Sequence, residues 1–177
     1  MNLKKEDKKL HFAVRFACLT VFLCVVLILL PACQRSKSYV DNVSAHAVAE
    51  ELLDELDHTD SFRLADAQYL NGYVSFPTTV TDFEIYYSTN GNSLDEFGVF
   101  HTKNKADAEE VKALLRSYLA ESLTQNQAFY DSYIPEETPK LRDAEVRVFG
   151  NYVTYAILSP EHRRDAFDTV DDLLEAH

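Results

Sequence analysis

The sequence predicts an α+β fold, an antiparallel sheet of about four strands with helices packed on one face. Three observations carry this. Alternating apolar residues flank a Gly-containing loop within 82–102, and a cleaner alternating pair flanks Gly150-Asn151. Each pair is followed by a stretch of helical period, which gives the order α-ββα-ββα.

Ser44 is placed to cap a helix running to about Asp57, with Val48, Leu52, Leu53 and Leu56 along one side. Residues 58–81 hold Phe62, Leu64, Tyr69, Leu70 and Pro77 without a clear period, and read as irregular with about one helical turn. Residues 82–88 alternate, placing Phe83, Ile85 and Tyr87 on one side. After Asn90-Gly91-Asn92, residues 96–102 alternate with Phe97 and Val99. Asn104 caps a predicted helix over 105–128, whose Val111, Leu114, Leu115, Tyr118 and Leu119 face a core. Pro135 and Pro139 mark a loop.

The second hairpin, 145–149 and 152–158, turns through two residues, which pairs Phe149 with Tyr152, Val148 with Val153 and Val146 with Tyr155. One face is then Val146, Val148, Val153, Tyr155 and Ile157; the other is Glu145, Arg147, Phe149, Tyr152 and Thr154. Ser159, Pro160 and Glu161 supply a cap, a first-position proline and a first-turn acid for a last helix, with Phe167, Val170, Leu173 and Leu174 as its buried stripe.

The first 33 residues carry a different pattern. Residues 1–15 are hydrophilic and basic, residues 16–30 are almost wholly apolar, and Leu30-Pro31-Ala32-Cys33 follows. A charged region, an apolar region and a small residue before a cut make a secretory signal. With Cys directly after Ala32, the segment resembles the lipobox of bacterial lipoproteins. That resemblance implies diacylglycerol on the Cys33 thiol and cleavage before it; Pro31 departs from the usual Ser, Thr or Ala. The alternative is an uncleaved signal anchor, since residues 16–33 are at the lower limit for spanning a bilayer. The predicted organisation is a signal peptide at 1–32, a lipidated Cys33 with a polar spacer at 33–43, and one extracytoplasmic domain at 44–177.

Beyond Cys33 there are 12 basic against 27 acidic residues, a formal charge of −15. Such a body repels nucleic acid and suits a basic protein surface, a cationic ligand or loosely held divalent ions, although acidity alone keeps a domain soluble. Cys18 and Cys24 lie inside the signal, so after lipidation of Cys33 no thiol remains for disulfide, Cys-zinc or Cys-nucleophile chemistry.

Three stretches, Asp95-Glu96-Phe97-Gly98-Val99-Phe100, Tyr133-Ile134-Pro135-Glu136 and Val148-Phe149-Gly150-Asn151-Tyr152-Val153, carry a further resemblance. In order and spacing they are similar to an uncharacterised lipoprotein family, domain of unknown function 4358, found mainly in Gram-positive bacteria. The similarity covers about residues 44–175. It implies an exported, lipid-anchored domain and supplies no catalytic residue.

No residue pattern points to a catalytic or metal site, and no cofactor is expected. His101 continues the Phe97/Val99 face with no second His or Cys at metal spacing, and reads as a packed or rim residue. His162 lies in a helix first turn, where the dipole disfavours the imidazolium. The acids of the first and last helices do not follow calcium-loop spacing and read as solvated faces; Asp168 and Asp171 could share a weak ion. Four glycines leave no phosphate-cradling loop.

The sharper expectation is a partner patch. With helices covering the Val146/Val148 side, Phe149 and Tyr152 point away from them, and Tyr86 and Phe100 join them on an open face, unless residues 58–81 fold over it. The reading is a membrane-tethered, non-catalytic binding or scaffolding lipoprotein, held through lipid on Cys33, with an envelope protein or cell-wall component as partner. The alternative is a small-molecule-binding lipoprotein serving a transporter, weakened by the lack of two lobes. An enzyme would need a deep pocket of convergent acids around His101.

Overall fold

The structure, a computed structural model, describes residues 37–56, 61–66, 69 and 76–176. Cys33 and the signal segment lie outside the described residues. Among those described, no helix is long and apolar enough to cross a membrane.

The elements are α1 (Ala45–Glu55), β1 (Phe62–Leu64), β2 (Val80–Ser88), β3 (Glu96–Thr102), α2 (Lys105–Tyr133), α3 (Thr138–Arg142), β4 (Glu145–Phe149), β5 (Tyr152–Ile157) and α4 (Pro160–Leu174). The strands form one antiparallel sheet in the order β1-β2-β3-β5-β4. The α+β class holds, with a fifth strand from the stretch read as irregular. Phe62 is the reason β1 pairs there: its ring packs edge-on against Phe97 at 5.5 Å.

Caps follow the local chemistry. Ser44 Oγ accepts from the Ala47 amide, Asn104 Oδ1 from Ala106 and Asp107, and Ser159 Oγ from His162. Each satisfies amides that the first helical turn leaves unpaired. The second hairpin has the expected register, Phe149 to Tyr152, Val148 to Val153 and Val146 to Tyr155. Gly150 takes φ 62°, the left-handed conformation that such a turn needs and side chains resist.

Helices pack on both faces of the sheet, which differs from the expected single layer. Alternation explains it. Tyr86, Phe97, Val99, Phe149, Tyr152 and Ala156 point to α1 and α4, where Val48, Leu52, Phe167, Val170 and Leu174 meet them. Ile85, Phe100, Val146, Val153, Tyr155 and Ile157 point the other way, to Ala108, Val111, Leu115, Tyr118 and Leu119 of α2. The sheet is apolar in both rows, so each row needs cover.

The partner patch is therefore corrected. Phe100 and Tyr152 are 0% exposed, Phe149 5% and Tyr86 7%, and Phe100 lies on the face opposite the other three. These rings are core, and they are covered by helices rather than by residues 58–81 alone.

The segment read as a spacer is docked from Lys37 onward. Lys37 pairs with Asp171 and with Glu175 (2.8 Å), and the Tyr39 hydroxyl donates to Asp171 at 2.8 Å. The Val40 amide donates to the Leu174 carbonyl at 2.8 Å. Tyr152 Oη accepts from the Val43 amide and donates to the Val43 carbonyl at 3.1 and 2.7 Å. A strap of residues 37–43 thus ties the start of the fold to its last helix. Asp171 and Glu175, with Asp172, could be read as a cation site by proximity, but Lys37 already engages two of the three.

Candidate functional site: a carboxyl under three phenols

Glu96 opens β3, opposite Tyr87 of β2 and Ile157 of β5. Strand parity puts it in the same row as Gly98 and Phe100, which face α2. A charged residue in an inward row must find partners. Among the described residues, Glu96 finds three phenol hydroxyls: Tyr155 and Tyr118 donate to Oε1 at 2.5 and 3.0 Å, and Tyr69 donates to Oε2 at 2.7 Å.

Gly98 makes this possible. Gly98 stands opposite Tyr155, and a Cβ there would run into the Tyr155 ring and crowd Ile85 and Phe100 to 3.1 Å. Without it the ring crosses the strand and delivers its hydroxyl one row along, to Glu96. The glycine is needed for close approach of a side chain, not for a turn.

Electrostatically the cluster is tense. Burial pushes the Glu96 carboxyl above its ordinary range, while the hydrogen bonds from Tyr155, Tyr69 and Tyr118 pull the other way. Burial, then the nearby Glu96 charge, drive the Tyr155 and Tyr69 hydroxyls well above the usual phenol value. The phenols therefore stay protonated and act as donors.

Glu96, Tyr69 and Tyr118 line a cleft of about 410 Å³ between the sheet end and the second half of α2, with Tyr155 buried behind them. Tyr69 and Tyr87 stack on its wall at 4.8 Å with 9° between their planes. Ser88, Ser122, Asn126 and Tyr130 complete the polar lining. Lys140, on α3, donates to Asp95 at 2.7 Å and pairs with Glu137 at 2.9 Å, while Glu137 accepts from the Leu94 amide at 2.9 Å. That lattice of bonds fixes the loop entering β3. A second hollow, of about 350 Å³, lies beside Arg116 and Arg142 under Leu141 and Val146. Arg142 turns to Asp143 and Glu145 to Arg147 and Arg163, so its charged groups do not converge.

His101 is not part of the cleft. It points to the opposite face, stacks on Tyr152 at 4.3 Å and meets Asp41 of the strap at 2.7 Å. It is a rim residue that holds the strap. Sequence reasoning missed Glu96, although the signal was present: a carboxyl in an inward row, beside a strand glycine, facing a tyrosine across the ladder.

The architecture is an α+β domain whose sheet is covered by helices on both faces, with a polar cleft beside Glu96. Residues 77–158 match the family model described as Domain of unknown function (DUF4358), and over that span the chain is similar to a domain of unknown function. The span runs from just before β2 to just after β5, and includes Glu96, Tyr118 and Tyr155. No curated protein and no solved structure matches the chain.

Proposed function

We propose that the chain is an exported lipoprotein, held by lipid on Cys33 at the outer face of the cell membrane, and that it serves there as a non-catalytic binding module. The cleft over Glu96 is its binding site. The observation that carries this is the buried Glu96 carboxyl, met by three convergent phenols, which lines a cleft of about 410 Å³ together with Tyr69 and Tyr118. Cavities of that size with a few fixed polar groups are the usual form of small-ligand sites. Three phenol donors hold the carboxyl in place, and a fixed polar group of this kind suits recognition. Support for the anchor comes from the three-zone leader and the Ala32-Cys33 junction. With the strap beginning at Lys37, the four residue steps from Cys33 reach no more than about 14 Å, so a lipid there keeps the body at the bilayer.

The occupant in this reading is an exposed group of a cell-wall component. A second reading, a receptor that presents a small molecule to a transporter, is favoured by the same cleft volume. The test is made in intact cells. A photo-crosslinking residue at Tyr87, in the cleft, is compared with one at Glu109, on the exposed side of α2. Recovery of a cell-wall fragment from Tyr87 alone supports the reading; equal recovery from both sites, or none, contradicts it. Fatty-acid labelling lost in Cys33→Ala tests the anchor.

A further inference from the structure

We propose that the cleft takes a protonated amine, its ammonium group seated at the Glu96 carboxyl beside the stacked Tyr69 and Tyr87 rings. This rests on the reading above that the cleft is a binding site, and it adds the chemical class of the ligand.

The charges of the lining favour a cation. Two carboxyls, Asp95 and Glu96, line the cleft, and among the described lining residues there is no Lys, Arg or His. Asp95 is already met by Lys140 at 2.7 Å. Glu96 is met only by neutral O–H donors among the described residues. Burial favours the protonated form of Glu96, but once an arriving cation holds it ionised, the three phenol hydrogen bonds disperse its charge without cancelling it and leave about one of the carboxylate's four acceptor positions open. An arriving anion meets repulsion at this floor. A neutral polyol leaves the charge uncompensated. An N⁺–H donor supplies both the missing bond and the missing charge.

The wall of the cleft is aromatic. Tyr69 and Tyr87 stack as a parallel pair, and the Tyr118 and Tyr130 side chains line the same cleft. Tyrosine faces attract cations through the ring quadrupole, more strongly where water is partly excluded. Each ring of that pair turns one face to the other, so a cation beside the carboxyl meets the outward face of the stack, an arrangement that complements an organic ammonium. The body's formal charge of −15 raises the local concentration of cations around the cleft mouth.

The experiment is calorimetric titration of the full chain in mild detergent with three probes: 1,4-diaminobutane, acetate and glycerol. The diamine is expected to bind saturably and the other two to give no saturable heat. Glu96→Gln is expected to weaken the diamine on the order of tenfold or more, as loss of one partner of a buried charge pair does. Ser122→Lys places a fixed cation on the α2 wall without touching the floor, and is expected to abolish diamine binding; circular dichroism checks that each variant folds. Should Glu96→Gln fail to fold, Ser122→Lys decides alone. Glycerol or acetate binding as tightly as the diamine, diamine binding undiminished in the folded variants, or no saturable diamine heat overturns the amine assignment. Recovery of a wall fragment through Tyr87 in cells alongside any of those results leaves the binding reading standing, so the two failures are distinguishable.

Discussion

The Tyr155 hydroxyl reaches Glu96 Oε1 at 2.5 Å by crossing Gly98, so this buried hydrogen bond depends on a residue with no side chain. Gly98→Ala is expected to force the Tyr155 ring aside, since the new methyl group meets the ring itself. Overpacking of this kind costs about 1–3 kcal/mol. Urea unfolding should show that loss, and near-ultraviolet absorbance should show a tyrosine released from its carboxyl. An unchanged midpoint contradicts the close approach.

Glu96 should make stability depend on pH in a definite direction. Burial raises its carboxyl above 4.5, against the opposing phenol hydrogen bonds. The folded chain then holds a proton that the unfolded chain releases. The resulting stability is fully present below about pH 4.5 and is lost as pH rises through the raised folded value. Glu96→Gln cannot ionise, so its stability relative to the native chain is expected to climb over that window. Urea midpoints of both proteins across the range measure it; a difference that does not vary with pH sinks the claim. Glu96→Ala, which removes the acceptor of the Tyr155 and Tyr69 hydroxyls, should cost more than Glu96→Gln, by about 1–3 kcal/mol for each of those two hydroxyls left unpaired.

Replacing Phe149 and Tyr152 together by Ser is expected to unfold the domain. Both are buried against α1 and α4, and Tyr152 also holds both backbone polar groups of Val43. Removing one buried aromatic costs about 3–5 kcal/mol, a large part of a domain's whole stability. Circular dichroism on heating decides it. A cooperative transition near the native midpoint would restore the idea of an exposed aromatic face.

Thr154 is wholly buried at the middle of β5, and its hydroxyl has no partner among the described residues. Thr154→Val keeps the shape and removes an orphaned polar group. A gain of about 1 kcal/mol in unfolding free energy is expected. A loss of similar size would reveal a hydrogen bond to that hydroxyl.

Much of this fold was legible in the chain. The caps at Ser44, Asn104 and Ser159 and the register of the second hairpin rest on local rules, where a short polar side chain or a Gly-Asn turn has few alternatives. Two things were not local. Which helix covers which row depends on tertiary packing, although apolar residues in both rows of β5 already call for cover on both faces. The strap from Lys37 is polar in composition and reads as a linker; its docking comes from Asp171 and Tyr152, more than 100 positions away. Glu96 lay between these cases. Its row was readable, but its three phenols come from residues 69, 118 and 155, which only the fold brings together.

The most direct test of the account is a carbon-13 NMR titration of the glutamate side-chain carboxyls in the full chain, with and without 1,4-diaminobutane. One carboxyl should titrate above the ordinary value of 4.5, be missing from Glu96→Gln, and shift its midpoint downward when the diamine stabilises the ionised form. Glutamates that all titrate at ordinary values, diamine or not, would contradict both the buried carboxyl and the site built on it.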